Sequence, residues 1–508
     1  MRALLSVSDT TGLAEFARGL RELGWELVAT DGTRAFLKSE GIDAMSVEDV
    51  TGQAVLLGGR VKTLHPKIHA GILARRSDAQ HMSELQRDGI TPIDLVAANL
   101  YPFRDAAAQG LSGAELMEKV DIGGVTLLRA AAKNHDDVIV IARPERYQGV
   151  LEELRERGSI DPETRRDLAA EAYAHTASYD AAITSRLYEE SGVSFPDELV
   201  LPMRKMRDLR YGENPHQQAA FYALRSESGA LTGMEQLHGK APSFNNLIDL
   251  DAAWAIVSGF RQPTVAVTKR CNPVGVSSDP DIVRAYRNAF RADSVSAYGS
   301  ILGVNRPVSM PLAQALADTF YEAIIAPGYE DGALEMLKRQ DLEIFRAPIA
   351  RPGMKTHPLD LHRVAGGLLV QTPDDGVADE GNFKPVTERH PTLEELSDLI
   401  FAWRVVRHVT SSGIVLAKGL MTVGIGPGQV SRVAAVETAV RKAGENARLS
   451  VMASDAYFPF PDGIEVAARA GVTALIQPGG SVRDQMMIET ANRYRIAMLF
   501  TGRRHFKH

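Results

Sequence analysis

Apolar and polar residues alternate along the first 150 positions in blocks whose lengths separate strands from helices. Ala3–Val7 is a short apolar run and predicts a strand, while Leu13–Leu23 carries a helical pattern that stops at Gly24. Trp25–Ala29 predicts a second strand, Thr30–Thr33 a turn, and Arg34–Glu40 a helix ended by Gly41. Leu95–Asn99 and Val138–Ala142 predict two more strands. Short strands spaced by helices predict a parallel sheet covered on both faces. Pro162–Glu190 has few breakers and predicts one long helix; Ser191–Pro196 after it is the best domain boundary.

The alternation resumes beyond that boundary. Val265–Thr268 and Ser300–Val304 predict strands, Asp279–Arg291 a helix, and Ile324–Ala326 is short and apolar. Ile414–Leu416 and Thr422–Ile425 predict a hairpin around Gly419, and Ser431 caps a helix running toward Lys442. Leu475–Gln477 and Ala497–Phe500 close the chain as strands, and a softer boundary lies near Arg351-Pro352-Gly353. No repeat of fixed period and no low-complexity tract is evident.

Composition narrows the class. A length of 508 residues suggests about three units of domain size, and 44% hydrophobic with 24% charged residues excludes disorder as the dominant state. The formal net charge of −7 disfavours general nucleic-acid binding, so anionic ligands require positive charge gathered locally. No apolar run approaches the roughly 18 residues of a membrane span, and Met1–Asp9 lacks the features of a signal peptide. Cys271 is the only cysteine, which excludes an internal disulfide and a cysteine-based zinc site. A cytoplasmic protein is expected.

Four clusters in the first domain set hydroxyls, backbone amides or cations at strand ends: Ser6–Thr11, Ala29–Thr33, Gly58–His69 and Asp121–Thr126. Such turns ahead of helices bind anions, with Arg60, Lys62 and Lys67 as counter-charge; singly, each also reads as an ordinary turn. His65 and His69 are four apart, but Pro66 intervenes and no HExxH frame exists, which disfavours a metal. Lys133 follows the Gly123-Gly124 turn on a helical run and is either solvated or, beside Asp121 in an anion pocket, a proton-transfer group. Further along, Leu209–Gln217, Lys269–Pro273, the Gly-rich Thr422–Arg432 and Pro478–Ser481 concentrate polar groups in turns. The spacing in Thr422–Arg432 is not GxGxxG, so a dinucleotide reading fails.

These motifs, taken together, are specific. SVSDTTGL, GGRVKTLHPKIHAGIL, NLYPF and DIGGVTLLRAAAKNH resemble the cyclohydrolase half of the AICAR transformylase/IMP cyclohydrolase family. LRYGENPHQ, NNLIDLDAAW, TVGIGPGQVSRV, SDAYFPFPDGIE, IQPGGSVRD and RHFKH resemble its transformylase half, in the family's order over essentially all residues. The resemblance implies an α/β protein with a methylglyoxal-synthase-like three-layer αβα domain over residues 1–195. It implies a pair of cytidine-deaminase-like αβα units over 196–355 and 356–508. It implies transfer of the formyl group of 10-formyltetrahydrofolate, a co-substrate, to AICAR, then dehydrative closure of formyl-AICAR to IMP. A homodimer is implied and no metal: the zinc chemistry of deaminase folds needs HxE and PCxxC, which one cysteine cannot supply.

By the same resemblance, Ser8, Thr10, Thr30, Gly32, Thr33, Arg60, Lys62 and Thr63 surround the cyclohydrolase phosphate, and Asn99, Tyr101, Asp121, Ile122 and Lys133 the ring. Lys133 matches the proton donor and acceptor, with Lys62, Tyr101 and Asp121 steadying the oxyanion and the amide. In the transformylase, Arg210, Tyr211, Gly299, Glu322, Ser412, Arg432, Tyr457 and Arg504 match nucleotide contacts. Val433, Asp462, Ser481 and Val482 match folate contacts; Lys269, His216 and Arg270 match positions implicated in formyl transfer. The chain departs from the family pattern at Arg270 (usually His), Ser412 (Asn), Tyr457 (Phe), Ser300 (Gly or Asp), Thr10 (Lys) and Asp31 (Gly). Arginine cannot act as a base near neutrality. Rival readings are a cyclohydrolase whose transformylase is slow or takes another donor, and a purine-nucleotide-binding protein without turnover.

Overall fold

A computed structural model describes residues 1–224, 229–348, 359–374 and 382–508. The chain divides into two compact units, Met1–Met203 and Arg204–His508. The expected limit at 195/196 lies in the 191–202 connection, which has neither helix nor strand. Arg351-Pro352-Gly353, the softer limit, lies outside the described residues.

Unit 1 is built on five parallel strands: β1 (Arg2–Ser6), β2 (Glu26–Ala29), β3 (Met45–Ser46), β4 (Leu95–Ala98) and β5 (Ile139–Ile141). Their apolar runs are buried without alternation, as Leu4, Val28, Val96 and Val140 show, because helices cover both faces of such a sheet. The order is β3-β2-β1-β4-β5. It reverses between β1 and β4, whose C-terminal ends therefore open a crevice suited to a ligand. Helices α1 (Leu13–Glu22), α2 (Asp31–Ser39), α3 (Gly123–Lys133) and α4 (Pro162–Glu190) carry the neighbouring loops.

Two expected turns are helix starts instead. Thr30 is extended (φ −69°, ψ 157°) and Asp31–Thr33 already form the first turn of α2. Gly123 and Gly124 are the first residues of α3 because Asp121 Oδ1 accepts from Gly124 N at 2.7 Å, an N-terminal cap. A Cβ at Gly123 would meet Thr63 Oγ1 at 2.8 Å, and one at Gly124 would meet Asp121 Oδ2 at 2.7 Å. Close approach, not a turn, requires these glycines.

Unit 2 contains two six-stranded mixed sheets. The first has strands β8 (Glu235–His238), β9 (Thr264–Lys269), β10 (Asn272–Ser278), β11 (Ser300–Val304), β12 (Tyr321–Ala326) and β13 (Glu343–Arg346), in the order β10-β9-β11-β12-β13-β8. The strand pairs β6 (Met203–Leu209) with β7 (Ala219–Leu224), and β14 (Asp360–Val364) with β15 (Gly367–Gln371), form separate ribbons. The second sheet holds β16 (Lys384–Pro385), β17 (Ile414–Ala417), β18 (Thr422–Gly426), β19 (Val451–Ser454), β20 (Ala474–Gln477) and β21 (Ala497–Phe500), ordered β18-β17-β19-β20-β21-β16. Both sheets run antiparallel, antiparallel, parallel, parallel, antiparallel in those orders.

Helices α5 (Phe244–Ser258) and α9 (Leu393–Val406) share one core with the facing sides of both sheets, through Leu250, Trp254, Leu399 and Trp403 against Ala266, Ile301, Val415 and Ala453. The opposite sides are covered by α6 (Ile282–Ala292), α7 (Met310–Leu316) and α8 (Asp331–Leu337) on the first sheet. On the second they are covered by α10 (Arg432–Ala443), α11 (Asp462–Arg469) and α12 (Asp484–Arg493). Ser431 caps α10, accepting from Ala434 N, and the hairpin around Gly419 forms as expected.

The unit is thus a structural repeat, as the implied pair of like αβα units requires, although no repeat of fixed period shows in the sequence. Asp249 on α5 accepts from Arg270 N (3.0 Å) and Cys271 N (2.5 Å); Asp398 on α9 accepts from Gly419 N (2.8 Å) and Leu420 N (2.7 Å). Lys269 Nζ donates to Tyr298 O at 2.7 Å, and Lys418 Nζ to Arg448 O at 3.2 Å. Gly275 lies beneath Ala289 O as Gly424 lies beneath Ala439 O. The repeat escapes sequence inspection because most of its positions ask only for an apolar side chain of suitable size. Among the described residues no helix is long and apolar enough to cross a membrane.

Candidate active sites in the two units

At the β1/β4 crevice of unit 1, Asn99 bridges the two loops: its Oδ1 accepts from Ser8 N (2.6 Å) and Asp9 N (2.8 Å), and its Nδ2 donates to Asp9 O (2.8 Å). Thr33 Oγ1 accepts from Val7 N at 2.9 Å, and Thr30 Oγ1 lies 3.3 Å from both Thr33 Oγ1 and Ser6 Oγ. Thr30, Gly32 and Thr33 thus form the start of α2, whose unpaired amides favour an anion, and the bond to Val7 brings the neighbouring Ser8 beside it, while Thr10 lies further along that loop, where its O accepts from Leu13 N. The acidic residues beside that helix start, Asp9 and Asp31, are exposed.

A second set converges on the start of α3. Asp121 accepts from the amides of Gly124 and Tyr101 and lies near Lys62; burial holds its carboxyl above the ordinary range, against the lowering pull of those three groups. Lys62 packs over Gly59, where a Cβ would meet its Cε at 2.8 Å, and Thr63 is buried against Gly123. Tyr101 and Ile122 are exposed, and Arg60 pairs with Glu118 on the surface. A buried carboxyl beside an ammonium can move protons and stabilise an oxyanion.

Lys133 does not join them. It is the exposed last residue of α3, ten residue steps from Gly123 and so roughly 15 Å along the axis. Asn134 beyond it donates to Ile72 O (2.8 Å) and Ala74 O (3.0 Å). Ile139 N then bonds Asp94 O at 2.9 Å, at the opposite edge of the sheet from the crevice.

In unit 2, one face of α5 collects the first cluster. Asn245 Nδ2 donates to Glu213 O at 3.3 Å in the turn that carries Arg210, Tyr211 and the exposed His216. One helical turn further, Asp249 holds the amides of Arg270 and Cys271. Arg210 lies 4.0 Å from Glu343 and over the Tyr211 ring at 6.0 Å. Burial raises the Glu343 carboxyl, and the charge of Glu322 adds to that.

The repeat separates structural from site-specific features. Lys418 shows that a lysine-to-carbonyl bond is part of the hairpin itself, so Lys269 has a structural duty besides any chemistry. Gly299 (φ +66°) corresponds to Leu449 (φ +61°), each donating backbone N–H to the next crossover, to Phe320 O (2.9 Å) and Gly471 O (2.8 Å). Leucine adopts that backbone at 449, and a Cβ at 299 would make only ordinary contact, 3.9 Å from Lys269 Nζ.

The second cluster lies in the other half of unit 2. Arg432 is buried and pairs with the fully buried Asp455, which also accepts from Ser411 Oγ. Its charge is thus matched within the fold. Ser412 N donates to Gln429 O at 3.1 Å, and His505 N, next to the exposed Arg504, donates to Asp455 O at 2.9 Å. Tyr457, Asp462, Ser481 and Val482 share the rim beyond β19 and β20, while Val433 sits in the first turn of α10. Arg483 ties that rim together, donating to Pro459 O at 3.0 Å and stacking on Phe460 at 4.5 Å. Asn272 and Lys507 join the clusters: Thr410 N donates to Asn272 Oδ1 at 2.9 Å and Lys507 Nζ to Cys271 O at 3.1 Å.

Three residues escaped the sequence reading. Tyr179 on α4 accepts from Asp121 N at 2.9 Å and donates to Lys119 O at 3.2 Å, its ring edge-on to Phe103. Asp249 and Lys507 hold the Arg270 turn. A buried tyrosine on an otherwise mixed helix face was the one local signal; the others had none.

Comparison with known proteins gives a consistent assignment. Residues 12–126 match the model of the MGS-like domain and residues 131–442 that of the AICARFT/IMPCHase bienzyme. The bifunctional purine biosynthesis protein PurH of Persephonella marina is 46% identical over 514 aligned positions, covering 100% of this chain and 99% of that one. Those of Bacillus cereus strain AH187 and Thermoanaerobacter sp. strain X514 are 47% and 45% identical with the same coverage. The crystal structure of ForH is 37% identical, covering 37% of this chain and 98% of that one, but superposes too loosely (TM-score 0.34) to bear on the fold.

Proposed function

The chain belongs to the AICARFT/IMPCHase bienzyme family, and on that premise we propose that it performs two consecutive steps of IMP synthesis. It moves the formyl group of 10-formyltetrahydrofolate onto the 5-amino group of AICAR, then closes formyl-AICAR to IMP with loss of water. The observation that carries the reading is identity of 45–47% to bifunctional relatives along the whole chain, through both units.

Ring closure is assigned to unit 1. The substrate phosphate sits at the start of α2 on Thr30 and Thr33, with Arg60 and Lys62 as counter-charge. The carboxamide nitrogen attacks the formyl carbon and a C–N bond forms; the formyl oxygen takes up one proton from the carboxamide and one from the formamide nitrogen, and the C–O bond breaks to release water as the ring C=N forms. Asp121 accepts the amide proton, and Lys62 and Tyr101 donate toward the developing oxyanion. The acid–base role that family resemblance gives Lys133 requires delivery from a second copy, since α3 keeps it far from Asp121 in the same chain. A cytoplasmic homodimer is part of this reading.

Formyl transfer is assigned to unit 2. The AICAR amine attacks the formyl carbon of the folate, loses its proton, and the folate N10 leaves protonated. Arg270 is a fixed cation and cannot take the amine proton. His216 is assigned as base, with Arg270 and Lys269 stabilising the oxyanion as charged donors. Arg210, Tyr211, Gly299 and Glu322 receive the nucleotide together with Ser412, Tyr457 and Arg504, and Arg432 holds the Ser412 loop. Val433, Asp462, Ser481 and Val482 receive the folate.

Assaying the two half-reactions separately on the purified chain tests the reading. Turnover of AICAR with 10-formyltetrahydrofolate and of formyl-AICAR alone is expected. Ring closure without formyl transfer would leave a cyclohydrolase, and binding without either a nucleotide-binding protein.

A further inference from the structure

The two hairpin turns of unit 2 are held alike on their amide side and differently on their carbonyl side. Leu420 O accepts from Ser278 N at 2.9 Å and from Ser277 Oγ at 3.3 Å, where β10 and β18 meet edge to edge with Ser277 opposite Met421. In the repeat, Cys271 is the counterpart of Leu420, and the residue three after Gly424 is the counterpart of Ser278 three after Gly275. That residue is Pro427, which has no N–H to donate. Cys271 O is bonded instead by Lys507 Nζ at 3.1 Å, reaching from the C-terminal tail.

Lys507 is built into place for this. Its Nζ also donates to His408 O at 3.1 Å, its carbonyl accepts from Ser411 N at 2.9 Å, and its own N–H donates to Ser411 Oγ at 3.3 Å. The turn needs such support. Arg270 (φ +52°) and Cys271 (φ +60°) are both left-handed without being glycine, a conformation that persists only where the surroundings impose it. Turn 419–420 needs less, because Gly419 occupies its first position.

We propose that Lys507 is a positioning residue of the formyl-transfer site, its ammonium replacing the N–H that Pro427 lacks so that Lys269 and Arg270 leave the turn in one fixed direction. The inference rests on the formyl-transfer reading of unit 2.

Lys507→Met, Lys507→Arg and the double variant Lys507→Met/Pro427→Ala are compared with the parent for formyl transfer from 10-formyltetrahydrofolate to AICAR, with cyclohydrolase turnover measured on the same samples. Lys507→Met is expected to lower formyl-transfer kcat by about tenfold or more, with KM for AICAR within about threefold and ring closure unchanged. Lys507→Arg, which keeps a donor, should stay within about threefold of the parent, and restoring an N–H at position 427 should recover part of the loss. Parent-like kcat in Lys507→Met overturns the inference. So does equal impairment in Lys507→Met, Lys507→Arg and the double variant, or a fall of both activities in step, which would make Lys507 a stability residue. A parent without formyl transfer removes the functional reading and this inference with it; an active parent with an indifferent Lys507→Met removes the inference alone.

Discussion

Tyr179→Phe takes one oxygen atom from α4 and leaves the ring, with its edge-on contact to Phe103, in place. The lost hydroxyl is the acceptor for Asp121 N at 2.9 Å and the donor to Lys119 O at 3.2 Å. Two neutral hydrogen bonds contribute about 1 kcal/mol each, and a buried N–H left unpaired brings the cost to about 2–3 kcal/mol. In a unit of this size each kcal/mol lowers the melting temperature by roughly 2–4 °C, so unit 1 should melt about 4–12 °C earlier. The larger effect is on rate. The peptide that loses its anchor carries Asp121, and misplacing a reacting group by about 1 Å costs up to about 10²-fold. Cyclohydrolase kcat should therefore fall about 10- to 100-fold, with little change in KM, while formyl transfer continues at the parent rate. Turnover of saturating formyl-AICAR and thermal melting on the same preparation give both numbers. A variant that melts early yet closes the ring within about twofold of the parent rate would refute the positioning role and leave Tyr179 a packing residue.

Other outcomes follow from the same geometry. Asp121 has a folded-state pKa above its ordinary 3.8, with burial as the cause. Its contribution to stability is full below that ordinary value and is lost as pH rises through the raised one. Asp121→Asn should consequently lose at least about 10²-fold in ring closure yet melt no earlier than the parent at pH 7, the difference shrinking toward pH 4; an earlier melt would contradict the buried-carboxylate account. His216→Ala should lose most formyl transfer, and Arg270→His should change it little or lower it. A gain of about tenfold or more in Arg270→His would mean that Arg270 impairs the site. Lys133→Ala and Asp121→Asn should each abolish most ring closure, and subunit exchange between them should restore about a quarter of the parent rate, as one intact shared site per mixed dimer requires. Absence of recovery would remove Lys133 from the partner's site.

Local features were legible from residues alone wherever the physics is local. The Pro162–Glu190 helix follows from its start at Asp161-Pro162 and its lack of breakers, and the 414–426 hairpin from two apolar runs around Gly419. The Ser431 cap, the strand-to-helix alternation and the motifs of both sites belong to the same class, since each is a short stretch with its own signal. The Thr30–Thr33 segment differs because a strand can pass into a helix without a separate turn, and Gly123-Gly124 because Asp121 receives the Gly124 amide as the helix begins on the glycines. What only the tertiary structure decided depends on residues far apart in the chain. Tyr179 meets Asp121 across 58 positions, Lys507 meets Cys271 across 236, and Lys133, close to Asp121 in sequence, is carried away from it along a rigid helix. The pair of like units in unit 2 was implied by resemblance, but which residues correspond is recorded only in strand order and in a few paired residues such as Asp249 and Asp398. A side chain's sequence neighbours set its local conformation, but which distant donor or acceptor completes its hydrogen bonds is settled by how the layers pack.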